Sequence, residues 1–441
     1  MTPTAPPAML SEASSPRWPY GPHPVLLGLN NSLLGLLVFT GAFVVFEGPY
    51  NVAFILCAIA VVTSGARLNW PLSPMIILTL IYVVGGLAAL MKDIDDFIPQ
   101  RYIVTIFFLA CTCFYFSMII QVQTSRRLDI IRNASIISAV IACFIGLIGY
   151  LDIAGLAVHF RVYEGRASGT FRDPNVFGSF LIFPAMLLMQ DVLIGERRGV
   201  WWRAIAFLLV VAMIFLSFSR GSWVAFAAAA IMLVILTRAT EPEKSRRLVL
   251  LGVAAAIVFV LGVAAILSID DIRDVFEQRA RVTQSYDEGR TGRFGKILYS
   301  LPLLLDNPLG LVPLQYGKIF KEDPHNVYVN GFANFGWAGG VAYLALIAST
   351  CVVGFRQAME RSPWRREAIT VWCALFVQFM QGFQIDTNTW RHLNMLIGLI
   401  WGMMAAFAMM KRRAARAPIA ASQPFQPAAA VIPAGSIIAA R

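Results

Sequence analysis

The chain has 441 residues, of which 58% are hydrophobic and 14% charged, and carries a formal net charge of +11. A mean hydropathy of +0.68 is too apolar for a soluble domain of this size. These values exclude a soluble enzyme, leave no basic soluble domain to hold nucleic acid, and predict an all-α polytopic membrane protein.

Residues 1–24 are rich in Pro, Ser and Ala. They lack the basic start, short apolar stretch and small-residue cleavage site of a removable signal, and read as a disordered cytoplasmic N-terminus before an uncleaved first span. From there, apolar runs long enough to cross a bilayer, about 17 to 25 residues each, recur along the chain. The pattern predicts about twelve transmembrane helices: nine over 25–268, three over 326–410, and between the ninth and tenth a large external loop with amphipathic helices over 269–325. The Ala- and Pro-rich tail over 411–441 reads as disordered and cytoplasmic.

Lys and Arg collect at the cytoplasmic ends of spans, and alternate loops hold them here. The clusters are Arg126, Arg127 and Arg132; Arg197, Arg198 and Arg203; Arg238, Lys244, Arg246 and Arg247; Arg356, Arg361, Arg365 and Arg366; and Lys411, Arg412, Arg413 and Arg416. With Arg17 and Arg67 they place both termini in the cytoplasm. The apolar stretch over 204–237, broken only by Ser219-Arg220-Gly221-Ser222, would be about 50 Å long as one helix against a core of about 30 Å. Both its ends are basic, so it goes out and returns, with Arg220 at a tight external turn. The same parity puts 92–101, 159–174, 269–325 and 386–391 outside. That side retains Arg161, Arg166, Arg172, Arg290, Arg293 and Lys296 against the usual bias, and an anionic ligand is the simplest reason.

Phe171-Arg172-Asp173-Pro174-Asn175 predicts a helix start, with Asp173 as N-cap and Pro174 at the first helical position. Asn175 is then free to offer an amide to a ligand, and Arg166 and Arg172 to bind phosphate. From Arg293 onward, Phe294, Ile297, Leu298, Leu301, Leu304 and Leu305 recur at helical steps and describe an amphipathic helix against the membrane or a groove. Arg293 and Lys296 share a face of it, and Asn307-Pro308-Leu309-Gly310 ends it. His325 follows Asp323-Pro324, itself a helix-start signal, where the polar loop runs into an apolar span. An imidazole there sits between water and a lipid-borne substrate. The last external turn carries Trp390, a residue of the interfacial belt, with Asp386 and Arg391, which either pair together or bind substrate. The six cysteines lie within apolar runs as packing residues, and the four histidines lack metal-ligand spacing. No metal and no cofactor is expected.

Four patterns recur in a fixed order: Gly169-Thr170-Phe171 with Pro174-Asn175; Ser219-Arg220-Gly221; Arg293 followed by Pro308-Leu309-Gly310; and His325-Asn326 leading into Gly336 and Gly339. Together they resemble the O-antigen ligase and O-antigen polymerase superfamily of bacterial membrane glycosyltransferases. One departure is that Gly310-Leu311-Val312-Pro313 keeps only the first glycine of the Gly-x-Gly turn usual there. The run from Ile385-Asp386 to Trp390-Arg391-His392 looks like the ligase-type subset.

The resemblance implies a GT-C-like protein among the lipids of the bacterial inner membrane, with the 269–325 loop and the site facing the periplasm. It implies an inverting, metal-independent ligase that takes a glycan from undecaprenyl diphosphate and joins it to a lipid A-core sugar hydroxyl. An O-antigen or exopolysaccharide polymerase using the same donor is the alternative. In that chemistry His325 is the general base, and Arg220 and Arg293 meet the charge on the departing diphosphate. Substrate contacts are expected from Arg166, Arg172, Asn175, Arg290, Lys296, Asn326, Asp386 and Arg391. The reading from another class is a transporter of lipid-linked glycans. Transporters tend to place their charged pathway near the midplane and often carry internal repeats, whereas the charges here gather at one external face.

Overall fold

The computed structural model describes residues 24–44, 47–65, 68–153, 155, 165–194, 199–244, 268, 270, 273–274, 276–277 and 293–416. The expected N-terminal segment before residue 24, the ninth span, Arg161, Arg290 and the tail after 416 lie outside the described residues. The helices are α1 (Pro24–Thr40), α2 (Glu47–Thr63), α3 (Ser73–Leu90), α4 (Phe97–Ile119), α5 (Thr124–Tyr150), α6 (Pro174–Ile194), α7 (Val200–Leu216) and α8 (Arg220–Thr240). They continue with α9 (Arg293–Leu305), α10 (Gln315–Phe320), α11 (Val327–Met359), α12 (Arg365–Gln381) and α13 (Arg391–Arg416). Helix α13 thus runs past Lys411, where the sequence predicts the tail to begin. Among the described residues, seven helices are long and apolar enough to cross a membrane, and three shorter apolar ones accompany them.

Burial follows lipid logic. Helices α6 and α13 are buried over most of their length, whereas α3 and α8 present much of theirs outward. The outward residues are apolar, as with Val52, Ile55, Ile59 and Val62 on α2, which suits hydrocarbon surroundings. Small residues let helix backbones approach. Gly398 and Gly402 of α13 lie against α4, where added Cβ atoms would stand 2.6 Å from Cys113 O and 2.9 Å from Ser117 O.

Hydrogen bonds sort the loops to two ends. At one end, Val44 N donates to Thr170 O at 3.1 Å, Ala167 N to Leu216 O at 2.9 Å, Lys92 Nζ to Gly310 O, and Lys318 pairs with Asp96 at 3.2 Å. At the other, Arg132 and Arg203 both meet the buried Asp191. Arg366 holds Glu241 there, and Arg365 Nη2 donates to Thr240 O at 3.0 Å. The basic clusters within the described residues therefore gather opposite the loops bearing Arg220 and His325.

Helix α11 is broken at Gly336, whose φ of 67° and ψ of −175° are not helical and are open essentially to glycine alone. The loop after α9 satisfies the backbone groups this break releases: Leu311 N donates to Ala333 O at 2.6 Å and Trp337 N to Pro308 O at 2.9 Å. Gly310, at φ +82°, has no room for a side chain, since a Cβ there would lie 2.7 Å from Gly336 N. The single glycine kept from the Gly-x-Gly pattern is the one that touches the break.

Candidate active site

The turn between α7 and α8 is three residues long. Ser219 ends it as N-cap, its hydroxyl accepting from Ser222 N at 3.3 Å, so Arg220 stands half-buried at the first position of α8. Its charge adds to the positive end of that helix. Asp173 caps α6 as the sequence predicts, accepting from Asn175 N at 2.7 Å. Gly178 on α6 comes so close that a Cβ would lie 2.7 Å from both Ser217 Oγ and Ser222 Oγ. Arg166, 7% exposed, ties these pieces together by donating to Ser217 O at 2.9 Å and to Asn175 Oδ1 at 2.8 Å. Both residues were expected to contact ligand; their described bonds brace the Arg220 turn. Arg172 is exposed beside them.

His325 has φ +46°, a left-handed conformation that a continuing helix does not permit. The helix start read at Asp323-Pro324 is therefore displaced to Asn326, whose Oδ1 accepts from Tyr328 N at 3.0 Å and Val329 N at 3.1 Å. With the cap taken by Asn326, His325 projects from the loop, and its Nε2 lies 3.1 Å from Glu322 Oε1.

The connection from α12 to α13 joins the two turns. On one side, a Cβ on Gly221 would lie 3.3 Å from Gln384 Oε1, and Gln381 Nε2 donates to Ser179 Oγ at 2.9 Å beside Ser222. On the other, Val327 N donates to Gly382 O at 2.8 Å and Asn326 Nδ2 to Phe383 O at 3.4 Å. Arg220 and His325, about a hundred residues apart, thus flank residues 381–384.

Asp386 enters from the same connection. Burial pushes its carboxyl up to about 6, a hydrogen bond with Asn330 opposes this, Asp323 raises it further and His325 opposes. Asp323 is raised as well, by burial first, with His325 opposing and Glu322 reinforcing. Glu322, Asp323, His325 and Asp386 therefore form one electrostatic cluster. Behind it lies a polar layer. Asn388 Nδ2 donates to Tyr82 Oη at 3.1 Å and Tyr102 Oη at 2.8 Å, and Asn334 bonds Asn330.

The first turn of α9 contains Arg293 and Lys296, whose side chains lie outside the described residues. The helix itself is docked on α11: Trp337 Nε1 donates to Leu304 O at 2.9 Å, and Leu304 packs with Leu311, Tyr316 and Ala333. Arg391, at the first position of α13, lies 4.5 Å from the centroid of the Tyr50 ring. Gln381, Ser179 and the polar layer formed by Tyr82, Tyr102 and Asn334 carry no motif in the sequence. Asn330 and Asn334, four residues apart in an apolar span and hence on one helix face, are a signal of that layer.

Seven helices long and apolar enough to cross a membrane, among the described residues, fit a multi-pass membrane protein, and the polar, charged cluster at one end is its candidate site. Residues 205–344 match the family model described as O-antigen ligase. The match supports the resemblance of this chain to the O-antigen ligase and polymerase superfamily, whose members are membrane glycosyltransferase-like enzymes. The matched stretch includes Arg220, Arg293 and His325, and leaves out Asp386 and Arg391. Among curated proteins, the chain finds no match.

Proposed function

We propose that the protein is an O-antigen ligase of the bacterial inner membrane, with its site facing the periplasm. It transfers a glycan from undecaprenyl diphosphate to a lipid A-core sugar hydroxyl. The observation that carries this reading is the flanking of residues 381–384 by a turn bearing Arg220 and a turn bearing His325. One offers positive charge, the other a proton acceptor.

The acceptor hydroxyl oxygen attacks the anomeric carbon and forms the new C–O bond. The bond to the phosphate oxygen breaks, and its electron pair leaves with the diphosphate. Attack from the opposite face inverts the anomeric centre. The acceptor proton passes to His325, held by Glu322, and general-base assistance of this kind is worth about 10² to 10⁴ in rate. Arg220 and Arg293 bind the phosphate oxygens, which gain charge as the bond breaks, so their contacts strengthen in the transition state. Guanidinium groups supply this stabilisation without a resident metal. Asp386 faces the acceptor as a hydrogen-bonding group, while Asn326, expected from the sequence to contact substrate, uses its amide for the α11 cap and for Phe383 O and so positions His325.

The test is the product formed by purified protein from undecaprenyl diphosphate-linked glycan and lipid A-core. Glycan-capped lipid A-core supports the ligase. Lengthened undecaprenyl-linked chains make it a polymerase, and donor moved between leaflets without covalent change makes it a transporter.

A further inference from the structure

Phe383 is an exposed aromatic in the connection that joins the two turns. The chain around it is fixed: Gly382 O accepts from Val327 N at 2.8 Å, Phe383 O from Asn326 Nδ2 at 3.4 Å, and Gln384 borders Gly221. The ring is fixed too, lying 4.4 Å from the Tyr328 ring at 44°. Yet 51% of the residue's surface is open. One part of the ring is held by Tyr328, and the residue itself stands in the connection that the Arg220 and His325 turns flank.

The surroundings separate Phe383 from the lipid-facing stripes of α2. Gln384, the next residue, and Glu322, in the His325 turn, are both exposed, and they offer hydrogen bonds that hydrocarbon cannot use. A partner that is apolar on one face and polar at its edge suits both features. The face of an aromatic ring carries negative potential, and the C–H face of a pyranose is its weakly positive complement, with hydroxyls left at the rim.

We propose that the exposed face of Phe383 stacks on the acceptor sugar and turns its hydroxyl toward His325. The proposal rests on the glycosyl-transfer reading above. The acceptor is assigned over the donor because, beyond its own segment, Phe383 meets Asn326 and Tyr328, the neighbours of the general base.

Initial rates of transfer test this, with lipid A-core varied at saturating undecaprenyl diphosphate-linked glycan and then the reverse. Phe383→Leu keeps the apolar bulk and loses the aromatic face; Phe383→Met does the same if the leucine protein elutes as aggregate. Phe383→Trp keeps the face. The expected result is an acceptor KM raised about tenfold by Leu or Met and changed less than about twofold by Trp, with the donor KM unaltered. An acceptor KM equal to wild type in a well-folded Leu or Met protein overturns the proposal, as does a rise confined to the donor KM. Wild-type protein that transfers nothing defeats the transfer reading and the stacking with it. Active wild-type protein with a normal Leu or Met variant defeats the stacking alone.

Discussion

Gly336 and Gly310 meet backbone to backbone: a Cβ added to Gly336 would lie 3.1 Å from the Gly310 nitrogen and 2.7 Å from Pro308 O. Through this contact the loop that follows α9 is seated on the broken part of α11, nine residues before which stands Val327, the first residue after the Asn326 cap. The position of α9, with Arg293 in its first turn, is thereby tied to the helix that begins beside His325.

Gly336→Ala should therefore lower stability by about 2 kcal/mol or more, from the strained φ and from the displaced loop together. Thermal unfolding in detergent measures it, and transfer should fall in parallel. Gly28→Ala is the control, since nothing lies within 4 Å of a Cβ there. Equal melting of the Gly336 variant and wild type would show that the loop does not depend on the break.

Asp386 gives a pH dependence with a definite sign. Its carboxyl is pushed up to about 6, from about 3.9 for a solvated aspartate, so the native state holds the proton more tightly than the unfolded chain. This contribution makes stability fall as pH rises from about 4 to about 6 and level off above. Asp386→Asn should remove that slope, matching wild type near pH 4 and exceeding its stability near pH 7 while transfer declines. Denaturation midpoints across this range check it; an unchanged slope in the variant would contradict the assignment.

Sidedness is open to chemical labelling. In a background lacking the six native cysteines, a cysteine at Asp306, exposed at the end of α9, should react with an impermeant thiol reagent in intact spheroplasts. One at Arg361, exposed at the opposite end, should react only after permeabilisation. The reverse pattern would put the site in the cytoplasm.

Much of this was legible in the sequence because it depends on local chemistry. Asp173 caps the helix that opens at Pro174, a tight turn falls just before Arg220, and charge parity places the Arg220, Lys92 and His325 loops at one end. What could not be read depends on distant partners. Asp323-Pro324 has the local form of a helix start, but the left-handed His325 passes that role to Asn326. The break at Gly336 shows only once Pro308 and Leu311 bond across it. The joining of Arg220 to His325 requires Gly382 and Gln384, which carry no motif of their own. Asp386 is an ordinary loop carboxylate until burial and Asp323 raise it.

If Arg220 and His325 serve one site in different roles, donor binding and transfer should separate in His325→Ala and Arg220→Ala, both purified and folded. Binding of undecaprenyl diphosphate-linked glycan is followed alongside release of undecaprenyl diphosphate in the presence of lipid A-core. His325→Ala should bind donor nearly as wild type and release none, whereas Arg220→Ala should lose both, because phosphate contacts act in the ground state and strengthen in the transition state. Wild-type release by His325→Ala, or unchanged donor affinity in Arg220→Ala, would contradict it.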